Sequence, residues 1–357
     1  MPTKRQSVTT RPAADSTETG KIAATPMAFV RATLAALEQH SLPVEPVLEA
    51  AQIAPGSVHQ PDAKVTAAQF EALSAAAMQA LDDEALGWFA RPLPWGSYGM
   101  LARASLSSPT LGVALKRWCR HHGLLTRDIT LAVEIQGDEA RVVLSEHRPP
   151  GGPDGGDAMR EFCFVSVLRN ALGQACWMAD SRIPLLGACF TFAAPPHAEV
   201  YRVLFDGPTR FDADETSIRF DARYLALPVK RDEAAMRQML QRALPIQVRP
   251  YRRDRLLVQR VRQVLRHQAL EAHNADDLAA LLHTSARTLH RQLRDEGATL
   301  QALKDEVRRD RAIALLQRTS RPVKQVAAAA GFQNEKSFIR AFKGWTGKTP
   351  GEWRERA

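Results

Sequence analysis

Three arginines, Arg287, Arg291 and Arg294, recur at offsets of four and three, so a helix would gather their guanidinium groups on one face. A guanidinium engages guanine O6 and N7 with two hydrogen bonds and pairs equally readily with a phosphate, so such a face has nucleic-acid-reading chemistry. Leu289 and Leu293, four apart, mark another side of the same helix as the one that packs inward. Ser285 stands at the N-cap position, and Gly297 follows the last turn as a stop. The pattern then recurs. Leu289, Arg291 and Leu293 correspond, 49 positions on, to Phe338, Arg340 and Phe342, leaving Lys336, Ser337, Arg340 and Lys343 for solvent or a ligand.

Each basic stretch is preceded by a shorter helical one that must hold it in place. Asp276 to Leu282 precedes the first, and Val323 to Ala330 with a turn at Gly331-Phe332 precedes the second. A helix-turn-helix needs a small residue where its helices cross, and Ala279 and Ala327 supply it. Between the copies, roughly Leu300 to Leu316 reads as one long helix. Its expected task is to set the two reading helices about one turn of duplex, or ~34 Å, apart.

These residues resemble the AraC/XylS family of bacterial transcription regulators, whose C-terminal domain contains two such motifs. The resemblance covers roughly residues 255 to 354. It rests on Leu278-Ala279, Ser285 to Leu293, Gly297, Val307 to Leu316, Val326-Ala327, Gly331-Phe332, Phe338, Arg340 to Lys343, Trp345-Thr346-Gly347 and Thr349-Pro350. One departure affects the second motif: Gln333 and Lys336 stand where the family usually has serine, which makes Asn334 the substitute N-cap.

What the resemblance implies is sequence-specific binding to double-stranded promoter DNA. Base edges would be read from Arg287, His290 and Arg291 in the first motif and from Glu335, Lys336, Ser337 and Arg340 in the second. Arg294, Lys343 and Lys348 suit phosphate, and Ser285, Thr288 and Asn334 complete the DNA-facing set. It further implies a small-molecule effector, a second copy of the chain, and RNA polymerase as partners, with no catalytic residue, no cofactor and no metal.

Charge is divided as this reading requires. From Gln247 onward 23 Lys and Arg face 12 Asp and Glu, a balance of +11, whereas the first 246 residues hold 25 against 27, or −2. The basic excess therefore lies with the repeated motif.

The 357 residues allow more than one core, and the expected class is a mixed α+β N-terminal regulatory domain followed by an all-α C-terminal domain. The expected division is a disordered tail over 1–25, an effector-binding and dimerisation domain over 26–244, a Pro- and Arg-containing linker over 245–253, and the DNA-binding domain over 254–357. Helical periodicity covers Pro26 to Leu37 and Val65 to Met78, broken at Leu42-Pro43 and Ile53 to Gly56. Leu42 to Ile53 and Gly96 to Leu101 resemble the arabinose-binding-like regulatory domain of the same family. Ser108 is the expected cap, with Pro109 at the first position, of a helix ending near Leu125.

Ile129 to Ile135 and Ala140 to Leu144 alternate as strands around Gly137-Asp138. After a loop from Pro149 to Gly156, Asp157 to Met178 reads as a long amphipathic helix. Pro184 to Ala193 and Ser217 to Phe220 read as strands. Pro196 to Leu204, Glu233 to Leu244 and Arg255 to Leu270 read as helices.

Trp88, Trp95, Tyr98, Trp118, His121, His122 and Trp177 either line an effector pocket or fill the core; the sequence does not separate the two. Cys119, Cys163, Cys176 and Cys189 lack CxxC spacing, which points to buried free thiols in a reducing compartment over a redox or metal site. There is no apolar h-region at the start and no run of 18 uncharged apolar residues, so the expected location is the cytoplasm, on the nucleoid. Two alternatives compete with a ligand-controlled regulator. One is an enzyme joined to a DNA-binding module, for which no nucleophile elbow, phosphate loop or deaminase signature is present. The other is an effector-independent DNA-binding protein whose front domain only dimerises.

Overall fold

A computed structural model describes residues 23–60, 63–241, 256–267 and 274–354. They form two compact units, one up to residue 241 and one from residue 256. The linker expected over 245–253 and residues 1–22 of the expected tail lie outside the described residues. Ala23 to Thr25, the rest of that tail, belong to a strand.

The first unit is mixed α and β. Strand β1 (Ala23–Pro26) pairs antiparallel with β2 (Lys64–Thr66), placing Thr25 opposite Val65. Each strand runs directly into a helix, α1 (Met27–Gln39) or α3 (Ala67–Leu81), with α2 (Glu45–Ala50) between them. Pro26, Val65 and Thr66, expected within helices, thus lie in this ribbon. Thr66 ends it with a capping box: its hydroxyl accepts from Gln69 N while the Gln69 side chain accepts from Thr66 N. Next come α4 (Ser97–Leu106) and α5 (Leu111–Leu125). The cap of α5 is Thr110 and not Ser108, because Leu111 N donates to Leu227 O at 2.7 Å and Thr110 bridges Pro228. That extended pairing delays the helix and leaves the buried Ser108 hydroxyl without a partner.

Strands β3 (Ile129–Gln136) and β4 (Glu139–Glu146) form the expected hairpin, with Gly137 at φ 58° where a side chain would be strained. They continue into a five-stranded sheet of order β3-β4-β7-β5-β6, with β5 (Leu185–Cys189), β6 (Thr209–Arg210) and β7 (Thr216–Asp221); only the β5–β6 pair is parallel. Helix α6 (Gly156–Ala179) packs on β4 and β7 and also on α1 and α5. It is therefore buried on all sides, not amphipathic as expected, and Arg169, Asn170 and Gln174 are enclosed with its apolar residues. A 3-10 turn and α7 (Tyr201–Phe205) occupy the stretch expected as a short helix. Helix α8 (Glu233–Leu240), capped by Asp232, ends the described part of the unit; residues 242–244 of the expected helix lie outside it.

The second unit is entirely helical. It comprises α9 (Leu256–His267), α10 (Ala275–Leu281), α11 (Ala286–Asp295), α12 (Leu300–Arg318), α13 (Val323–Ala329), α14 (Glu335–Thr346) and α15 (Pro350–Arg354). Arg255 and residues 268–270, expected in the first of these helices, are outside the described residues. Two separate cores hold it together. Leu278, Ala279, Leu289 and Leu293 pack with Val258, Val261 and the front half of α12, while Val326, Ala327, Phe338 and Phe342 pack with Ala312 and Leu316 from its rear half.

Candidate nucleic-acid interface

Local sequence fixes each reading helix before packing does. At α11 the Ser285 hydroxyl accepts from Thr288 N at 3.2 Å, and at α14 the Asn334 carboxamide oxygen accepts from Ser337 N at 2.8 Å. Asn334 thus does the capping work that the absent serine left open. Leu289 and Leu293 are wholly buried, as are Phe338 and Phe342, which turns the remaining faces of both helices outward.

On those outward faces the two copies agree more closely than their shared apolar spacing requires. Arg287, Arg291 and Arg294 match Lys336, Arg340 and Lys343 position for position at the same 49-residue offset, a basic triad spanning two turns in each helix. All six side chains are exposed, and none makes an ion pair among the described residues. Basic residues that support the unit behave differently. Arg262 donates through Nε and Nη2 to Glu306, at 3.0 and 2.6 Å, tying α9 to α12, and Arg266 pairs with Asp310 at 3.5 Å. Cations left unpaired on an exposed helix face are available to phosphates and base edges.

Of the other sequence-derived candidates, Ser285, His290 and Asn334 are exposed beside the triads, and Thr288, Glu335 and Ser337 are half-buried in the first turns. Lys348 lies 6.0 Å from the Trp353 ring centroid, where the ring face partly occupies it. The helix-turn-helix turns are not identical. His283 is left-handed at φ 54° two residues before Ser285, whereas Gly331 at φ 83° precedes Asn334 by three. The additional residue, Phe332, packs on Phe338 and Trp345 and takes Arg308 over its ring at 5.3 Å.

Residues 278–356 match a helix-turn-helix domain family. Residues 42–229, more than half of the chain, match the arabinose-binding domain of the AraC transcription regulator, N-term. The chain belongs to the AraC family of transcription regulators. Among its relatives, the ornithine utilization regulator of Pseudomonas aeruginosa is 26% identical over 331 residues, 92% of this chain and 96% of that one. The regulator VqsM of the same organism is 28% identical over 270 residues, covering 72% and 79%. The crystal structure of the regulator CdpR, also from Pseudomonas aeruginosa, spans 92% of this chain and 98% of its own at 19% identity, with a TM-score of 0.33. As an AraC-type DNA-binding transcription regulator, the protein belongs with regulators and not with enzymes.

The regulator's first unit contains a cavity of about 400 Å³. Trp95, Tyr98 and Trp118 line it, so three of the seven sequence candidates meet there. Trp88 packs edge-on against Phe162, and Trp177 is buried beneath Arg231, so both belong to the core. His122 is fully buried with Nε2 3.5 Å from Tyr98 Oη, while His121 is half-buried on another side of the helix and takes no part. Burial lowers the His122 pKa to about 4. The four cysteines are free and buried, and burial pushes the Cys119 thiol up to about 12. Gln174, Asn170 and the end of α8 complete the cavity wall. Sequence reasoning singles out none of these. The available signal is a polar pair four apart, Asn170 and Gln174, within the apolar run of α6.

Proposed function

We propose that this AraC-family chain reads an asymmetric promoter site with α11 and α14 together, as one arm of a homodimer whose first unit is controlled by a small molecule. The observation that carries the reading is the pair of equivalent, exposed and unpaired basic triads on two capped helices. Arg287, His290 and Arg291 face base edges in one major-groove segment, and Glu335, Lys336, Ser337 and Arg340 face them in the next. Arg294 and Lys343 take phosphates, and Ser285, Thr288 and Asn334 hold the helix starts against the backbone. The unit from residue 254 onward is the DNA-binding domain, the unit over 26–244 is the effector-binding and dimerisation domain, and RNA polymerase is the partner that reads the outcome. The setting is the cytoplasm, on the nucleoid.

Support for ligand control over an effector-independent protein comes from the cavity in the first unit, whose volume and mixed apolar and polar lining suit a small molecule. The deciding experiment maps bound sites across the genome of origin and follows with gel-shift titrations on the recovered sequence. A bipartite asymmetric motif is expected. Binding of equal strength to cognate and scrambled duplexes at moderate salt would exclude the reading.

A further inference from the structure

The cavity lies among α3, α4, α5 and α6, and its remaining wall includes Met239, Leu240 and Gln241 at the end of α8. Gln174 on the α6 side is 4% exposed and its Nε2 has no hydrogen-bond partner. A buried amide donor left unpaired is a standing penalty that a ligand acceptor removes, and Gln174 lines the cavity in which such an acceptor would sit. One turn earlier, Asn170 lines the same side, 8% exposed. Tyr98 and Trp118, also in the lining, stack with ring centroids 6.0 Å apart and offer flat apolar surface.

Charge narrows the ligand further. Glu71 and Glu84 line the cavity, and Glu84, which caps α4 by accepting from Gly96 N and Tyr98 N, has its pKa raised by burial. Arg103, the described guanidinium in the lining, is already held by Glu233 through Nε and Nη2. An anionic ligand would meet the Glu84 carboxylate, and a bare ammonium would leave the Gln174 amide donor unsatisfied. An uncharged acceptor satisfies both constraints.

Helix α8 is held against α4 by that ion pair and by Leu240, whose Cδ2 would stand 3.1 Å from a Cβ at Gly99, so only glycine permits this approach without displacement. Immediately after Gln241 the chain passes through residues 242–255 to the DNA-binding unit. We propose that this cavity is the effector site, that it takes an uncharged small molecule with a flat apolar body and a carbonyl or hydroxyl acceptor, and that α8 reports its occupancy to the DNA-reading unit. This rests on the regulator reading above and adds the ligand class and the element that responds.

The test uses the full-length protein with three uncharged bicyclic probes, indole-3-acetamide, coumarin and 2-quinolone, beside the charged analogues indole-3-acetate and tryptamine. At ten times its dissociation constant, at least one uncharged probe should raise Tm by about 3 °C and shift DNA affinity at least ~5-fold. Gln174→Leu, which removes the unpaired donor at similar volume, should melt no lower than the parent and lose about tenfold in probe affinity. Ala75→Phe, which fills the cavity from α3, should abolish probe binding. Binding confined to the charged analogues, silence from every uncharged probe, equal probe affinity in both variants, or binding without a change in DNA affinity overturns the proposal. Probe-free titration on cognate and scrambled duplexes, run alongside, reports separately on the regulator reading.

Discussion

Val307 and Ala312 stand on one uninterrupted helix and close two different hydrophobic cores, Val307 that of the first helix-turn-helix and Ala312 that of the second. No glycine or proline interrupts α12 between them, so the two reading helices are fixed to a common rod. Each reading helix is independently capped and independently packed, but neither can turn without carrying its half of α12.

The basic triads separate two kinds of contact. If Arg291, mid-helix and flanked by the exposed His290, reads a base as proposed, Arg291→Ala should cost about 1–3 kcal/mol on the cognate duplex and relax one base position. Lys343, at the C-terminal end of its triad, is the contrasting residue, proposed to take a phosphate. Lys343→Ala should weaken cognate and scrambled duplexes alike and reduce the slope of log affinity against log salt by about 0.9. Gel shifts at three salt concentrations decide both, and equal losses on both duplexes for Arg291→Ala would remove its base-reading role.

Asn334 is the only side-chain cap of α14, through its 2.8 Å bond to Ser337 N. Asn334→Ala should destabilise the second motif by about 1 kcal/mol, whereas Asn334→Ser should restore most of that. Amide exchange is the measurement: protection should fall across α14 and stay unchanged across α11. A uniform loss over both helices would mean that the motifs do not fold as separate cores.

The DNA-reading unit is legible in the sequence because its determinants are local. Ser285, Asn334, Leu289 with Leu293, and Phe338 with Phe342 act within one or two turns, where spacing alone specifies the outcome. The first unit depends on distant partners. Nothing near Ala23 announces that it will pair with Thr66, and Ser108 is as good a cap as Thr110 until Leu111 N meets Leu227 O. The cavity is half legible. Trp95, Tyr98 and Trp118 stand out as aromatics alongside Trp88 and Trp177, and only packing against α6 sorts wall from core. Gln174 leaves only a faint local sign, as one of two polar residues four apart in an apolar run; burial among the surrounding elements is what makes it unusual.

His122 supplies a pH dependence with a definite sign. Its Nδ1 has no partner, and burial sets its pKa at about 4, below the ordinary 6.5. The unfolded chain therefore takes up this proton first as pH falls, so the contribution is complete above about pH 6.5 and is lost on descending toward 4. By pH 5 the loss from this one site is about 2 kcal/mol. Urea midpoints of the parent and of His122→Gln at pH 7 and pH 5 isolate it. The parent should lose more stability on acidification than the variant, and parallel losses would show that His122 is not the group responsible.

One inserted alanine after Asp310 tests whether the rod sets the phase of reading. An added helical residue turns everything beyond it by about 100° and advances it by about 1.5 Å. Residues up to Val307 keep their core and residues from Ala312 keep theirs, so both motifs should still fold. The interaction broken at the junction, Arg308 over Phe332, is partly exposed and contributes little, whereas the Arg266–Asp310 pair lies wholly before the insertion and is kept. Binding to the full bipartite site should nevertheless fall by at least ~100-fold, to the level of a single half-site, because the second helix no longer meets its groove while the first is docked. Affinity for an isolated half-site should be unchanged, which separates lost phase from lost folding. Full-site affinity within twofold of the parent would show that the two motifs read DNA without a rigid connection, and the common-rod account of α12 would be wrong.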